Sequence, residues 1–459
     1  MDIAIPAPPF HLTLSGCDRQ LSPIPSKHIL CFSLSSDADR KQLVEYLHIA
    51  FHHTVQRLPF LAGSIVPFPP EEGGRPWLRN ISTGGAAHLI IKDLSDQISF
   101  SDLVKSNFSE SFLQADQICP LPQVAYITPE PVDVCRFQAN FINGGLLLVV
   151  SIIHNIADGR GTYEVLKIFA DYLRKAQSGE LGHPLHPRTT IYESDRTALV
   201  NGNGFPGGLD DHPAWITTDP KSFFKLSDVE STCHTFRITA DNLSTLKATA
   251  SSSNPGEWIS TADAVAALIW RSIMIARHRA GILPFNSSTF LTQPVDCRSR
   301  LAIPPPYIGN CIYLNKASML LSTLSDPSTG LSTAARIIRA QVTAVTADRF
   351  KSLQAQIEKT AHEAHTLPGI LGDISKTGLM LTSHFKFPMH ELDFGPAFGD
   401  NGYIRAFRLP AKGTFAGLVT ILPRCKDGSL EFIITEREVT FRCLLEDEFF
   451  GGFATELGC

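Results

Sequence analysis

From Gly145 to Ile153 the chain carries only glycine, leucine, valine, isoleucine and one serine, its longest apolar run. A membrane-crossing helix needs about 20 such residues, so this run is too short to span a bilayer. Partly β-branched, it suits a buried strand. It ends in His154-Asn155-Ile156-Ala157-Asp158-Gly159. Between Thr162 and Lys175, Tyr163, Val165, Leu166, Phe169, Ala170 and Leu173 then recur at helical spacing. The pattern predicts a buried strand, a tight glycine-flanked loop and a helix, with one histidine at the strand's end.

Strand ends are where catalytic side chains are commonly presented. An imidazole that ionises near neutrality can take a proton from an alcohol and later return it to a leaving group. Asp158 can orient that ring, or it can hold the loop through a salt bridge. Gly159 and Gly161 open backbone angles closed to other residues. Taken alone, His154 also reads as a satisfied histidine at a strand terminus.

At 459 residues the chain exceeds one ordinary core. A helix is expected from Asp37 to Arg57, capped by Asp37 and stopped by Pro59. Strands are expected over Ala87–Lys92 and Val134–Phe141. The second half has helical patterns over Thr261–Arg279 and Thr333–Thr366. Strands are expected there near Ser288–Gln293, Gly417–Pro423 and Leu430–Thr435. Residues rich in Gly, Pro and Asp separate the halves. The reading is two α/β domains, 1–205 and 225–459, joined by a linker at 206–224.

A net charge of −5 gives no support for nucleic-acid binding, and 43% hydrophobic residues with 29 Phe argue against disorder. The N-terminus lacks the pattern of a signal peptide. The ten cysteines form no CxxC pair, which points to reduced thiols in a cytoplasmic protein and away from a zinc site. His48 and His52, and His362 and His365, read as solvated helix faces rather than metal ligands. No metal and no membrane partner are expected.

HNIADG resembles the HxxxDG motif of the BAHD acyltransferases, within the CoA-dependent acyltransferase superfamily. Other stretches agree in order and spacing over nearly the whole chain. They are Leu58-Pro59-Phe60-Leu61-Ala62-Gly63; Ser260-Thr261-Ala262-Asp263 with Ala267, Trp270-Arg271 and Ala276-Arg277; Asp296-Cys297-Arg298-Ser299-Arg300; Pro304-Pro305-Pro306-Tyr307 with Gly309-Asn310; and Asp393-Phe394-Gly395. Pro396 replaces the Trp of the family's DFGWG and points to a fungal subgroup. Ile153 stands where peptide-forming condensation domains carry a second histidine.

The resemblance implies mixed α/β sheets in two similar chloramphenicol-acetyltransferase-like domains, with a channel between them. It implies His154 as general base and Thr382 as oxyanion donor. Asp158, Gly159, Arg298, Asp393 and Gly395 would support the site structurally, with Arg298 paired to Asp158. Ser260 and Thr261 would meet CoA, although a plain helix cap is the simpler reading of Ser260. His384, replacing a plant-type Trp, would line the substrate pocket. No permanently bound cofactor is implied. Acetyl-CoA or another acyl-CoA is the co-substrate, and a terpenoid, alkaloid or polyketide hydroxyl is the acceptor of a monomeric enzyme. N-acylation, a carrier-protein thioester donor, or a repurposed member that binds or cyclises a ligand are the alternatives.

Overall fold

The computed structural model describes the chain apart from residues 22, 76, 110–111, 122–130, 182–195, 197–198, 200–206, 219–228, 252–256, 304, 362, 370–372, 411–414 and 458–459. Gly145–Ile153 is a strand with every residue buried. It lies inside a six-stranded sheet, between Cys135–Ile142 and Pro25–Ser33, antiparallel to both. Its lack of polar alternation follows from cover on both faces. Leu146, Leu148, Val150 and Ile152 join a cluster with Leu47 and Phe51 of the Arg40–Arg57 helix and Leu166 and Phe169 of the Gly159–Ser178 helix. Leu147 and Val149 face a second cluster with Phe100, Leu103 and Ile118.

Asp37 does not cap the first long helix. The cap is Asp39, whose carboxylate accepts the Lys41 and Gln42 N–H groups, while Asp37 bonds Ser35. The helix ends at Arg57, and Pro59 opens a short 3₁₀ turn.

The second lobe is a seven-stranded sheet in the order Ile312–Leu320, Ser288–Asp296, Gly378–Ser383, Leu418–Ile421, Leu430–Glu436, Thr232–Ile238, Ala454–Leu457. The Thr261–Arg279 helix packs on it with Trp270 and Arg277 fully buried. Arg277 is paired with Glu436 and donates to the Gly378 carbonyl.

The stretch expected as one helix over Thr333–Thr366 is two helices, Gly330–Thr343 and Ala347–Thr360, followed by a strand, His365–Pro368. Thr346 caps the second helix by accepting the Arg349 N–H, the local competition by which a threonine interrupts a helical run. His365 is therefore not on a solvated helix face. It is buried on a strand and stacked on Trp77, with ring centroids 6.1 Å apart; His362 lies outside the described residues. This strand pairs with Trp215–Thr218, so the expected linker contributes to a two-stranded sheet.

The lobes share one element. Ala406–Arg408, from the C-terminal half, pairs antiparallel with Pro25–Ser33 and completes the first sheet. Arg408 bonds Glu431 Oε2 of the second sheet at 2.7 Å and the carbonyls of Asn107 and Phe108 in the first lobe. Among the described residues no helix is long and apolar enough to cross a membrane.

Candidate active site

His154 leaves the end of the buried strand half-exposed, its backbone N–H donating to Ile24 O at 2.8 Å. Its ring Nδ1 is buried and without a partner among the described residues. Asp158 does not supply that partner. Its Oδ1 accepts from Gly161 N at 2.9 Å and Arg298 Nη2 at 2.9 Å, and its Oδ2 accepts from Arg298 Nη1 at 3.0 Å and Cys311 N at 3.0 Å. Of the two roles open to Asp158, this geometry is that of holding the loop. Burial pushes its carboxyl up, but the Arg298 charge and these hydrogen bonds outweigh it and hold the group below the usual carboxylate range.

Asp158 also caps the Gly159–Ser178 helix, so one carboxylate sets both the loop and the helix start. Glycine is required at Gly161, and Gly159 is a close approach. A Cβ on Gly161 would lie 1.8 Å from Ile308 O, and one on Gly159 would lie 3.2 Å from the His384 ring.

His384 is brought to this place. Its ring meets His28 edge-on, with centroids 5.3 Å apart, and lies near Phe387 and Phe407. Burial pushes the His384 imidazole down to about 4. His28, also buried, is held well below the usual range by burial and by the neighbouring His384 and His154. Both are neutral at physiological pH, and neither buried Nδ1 has a partner among the described residues. His28 carried no signal in the sequence, being one of several polar residues, with Ser26, Lys27 and Ser33, in Pro25–Ser33. Thr382 lies two residues before His384 on Gly378–Ser383, half-buried and on the face opposite Leu379 and Leu381 of the lobe core.

Ser260 forms a capping box with Asp263, and Arg339 bonds both. Thr261 is the first residue of that helix. Asp393 and Gly395 lie at the far end of the Gly159–Ser178 helix. Asp393 Oδ1 accepts Gly395 N at 2.8 Å, and Gln177 bonds Phe394 O and Ala397 N at 2.7 and 2.8 Å. Gly395 has φ +86°, and a Cβ there would strike Gln177. A cavity of about 870 Å³ is lined by Lys316, Gln341, Arg349 and Ser352 among others, and His154 is not among its lining residues.

Two mixed sheets, with a histidine loop at the end of a buried strand, form the core of the architecture. The same fold is seen in the crystal structure of F. graminearum TRI101 complexed with coenzyme A and deoxynivalenol. The TM-score is 0.85 at 20% identity, over 98% of this chain and 100% of that one. The model of the Transferase family matches residues 4–438. The chain belongs to that family, the BAHD acyltransferases, and is an acyltransferase enzyme. It is 27% identical over 487 residues to eremophilane O-acetyltransferase ORF8 of Penicillium roqueforti (strain FM164), covering 97% of this chain and 98% of that protein. It is 56% identical over 454 residues to a Penicillium crustosum protein named enoyl-CoA isomerase/hydratase claC. That match covers 98% of this chain but 52% of the relative, so the chain spans about half that protein's length.

Proposed function

We propose that the chain transfers an acyl group, by default acetyl, from acyl-CoA to a hydroxyl of a fungal secondary metabolite. The observation that carries this is the loop geometry: Asp158 is locked to Arg298, while His154 stands partly exposed with its Nδ1 unpartnered among the described residues. Support for the donor and acceptor comes from relatives named as O-acetyltransferases and from the coenzyme A complex of the shared fold.

In one ternary complex, His154 takes the hydroxyl proton as the oxygen attacks the thioester carbonyl. The Thr382 hydroxyl donates to the resulting oxyanion, an interaction worth about 3 kcal/mol. The C–S bond then breaks, and the protonated His154 serves the departing CoA thiolate. Ser260 and Thr261 would face the CoA phosphates from a helix start, beside Arg339, whose charge is shared with Asp263. His384 would form part of the acceptor wall.

The test is CoA release, followed with a thiol reagent, from acetyl-CoA and hydroxylated terpenoid or polyketide acceptors. His154→Ala should lower turnover by about 10²–10⁴-fold with the protein still folded. Undiminished turnover in that variant would refute the base assignment.

A second reading comes from the name of the 56% identical relative. That name belongs to a protein about twice as long, and the hydratase or isomerase chemistry need not reside in the shared half. An enoyl-CoA offered alone separates the readings. Change of its conjugated thioester without CoA release would favour the second.

A further inference from the structure

The loop that carries His154 is a turn between a strand and a helix; the Asp158 carbonyl accepts from Thr162 N–H of the helix, but among the described residues no main-chain N–H bonds the carbonyls of His154, Asn155 or Ile156. Side chains from elsewhere meet these three in succession. Asn310 Nδ2 donates to His154 O at 2.6 Å. Arg196 Nη1 donates to Asn155 O at 3.3 Å, and Nη2 to Ile156 O at 2.6 Å. The Asn155 amide in turn donates to Asp18 O at 2.8 Å and Leu21 O at 2.7 Å.

These donors are joined through one carboxylate. Asp18 pairs with Arg196, accepts from Asn310 Nδ2 at 2.6 Å, and closes a capping box with Ser15. Asp18 and Arg196 are almost fully buried. Arg298 holds the Asp158 end of the loop, while this group holds its His154 end.

We propose that Arg196 and Asn310, tied together by Asp18, are positioning residues for His154. They fix the main chain from His154 to Ile156 and so set the direction in which the imidazole leaves it. The inference rests on His154 being the base. A side chain bonded to its own helix or strand would tolerate a loosened loop. A base at the root of this turn would not, because displacement of a reacting group by about 1 Å can cost on the order of 100-fold in rate.

Two substitutions separate positioning from support of the fold. Arg196→Lys keeps a cation for Asp18, but one ammonium cannot reproduce the planar fork that reaches both loop carbonyls. Asn310→Ser leaves the Arg196–Asp18 ion pair intact and withdraws the amide donor from His154 O and from Asp18 Oδ1. Rates are measured with acetyl-CoA and the acceptor, below the melting transition of each variant and beside His154→Ala. The expected result is kcat lowered by roughly 10- to 100-fold, with the KM for acetyl-CoA within about twofold of the parent. Either variant that folds decides the matter. A folded variant with parental kcat, beside an inactive His154→Ala, overturns the positioning role and leaves the base standing. Parental turnover in His154→Ala itself overturns both.

Discussion

Asp158 owes its charge to its partners. Burial raises its carboxyl, and Arg298 with two backbone N–H groups lowers it further than burial raises it. A carboxyl depressed in the native state contributes stability that is present above the ordinary carboxylate range. That stability is lost as pH falls through the depressed native value. Asp158→Asn should therefore cost up to about 3–5 kcal/mol at neutral pH, because buried Arg298 then keeps only the more exposed Asp296 as a counter-charge. Its stability should also fall less steeply than the parent's on acidification. Urea unfolding at a series of pH values checks both, and parallel curves would count against the ion pair. His384 runs the other way. Its imidazole is lowered from 6.5 to about 4 by burial, so between those values the unfolded chain takes up a proton that the native ring refuses. Stability should fall across that window and level off below it, and His384→Phe should flatten that limb. His154, Asp158 and Arg298 were visible in the sequence because a contiguous motif and a matched stretch carry them. Asp18, Arg196 and His28 were not. Arg196 lies 178 residues from Asp18 and Asn310 lies 292 from it, His28 meets His384 from the opposite half of the chain, and no local pattern reports such pairings.

The Gly159–Ser178 helix links the site to its support. Asp158 caps its start, and Gln177 near its end holds the loop of Asp393 and Gly395. Gly161→Ala should abolish soluble protein, because a Cβ 1.8 Å from Ile308 O meets backbone that cannot rotate away. Recovery of folded protein with a parental melting curve would contradict that clash. Gln177→Ala should be milder, costing about 1–3 kcal/mol as its hydrogen bonds to Phe394 O and Ala397 N disappear, with turnover unchanged while the protein remains folded. The Gly145–Ile153 strand was legible from its unbroken apolar run and the Thr261–Arg279 helix from its helical pattern. The break after Thr343 was not, because the apolar spacing continues across a threonine that stops the helix by capping the next one.

Over the whole molecule, the two lobes are coupled where Ala406–Arg408 enters the first sheet and Arg408 pairs with Glu431 of the second. Calorimetry should show one transition for the parent. Arg408→Ala should lower it, since it strips a buried carboxylate of its cation at about 3–5 kcal/mol, while Arg298–Asp158 and Asn310–Asp18 still join the lobes. A single transition at the parental temperature would show that the lobes do not depend on this link. Two mixed α/β lobes could be read from the alternation of strand and helix patterns. The exchange between them could not, because three residues are too few to carry a strand signal.

That late strand also has a consequence during synthesis. A ribosome delivers the chain from its amino end, so strand Pro25–Ser33 waits with one row of peptide groups open until residue 408 has emerged. Through most of translation the nascent first lobe offers a bare edge to any other extended segment nearby, including the same strand on a neighbouring nascent chain.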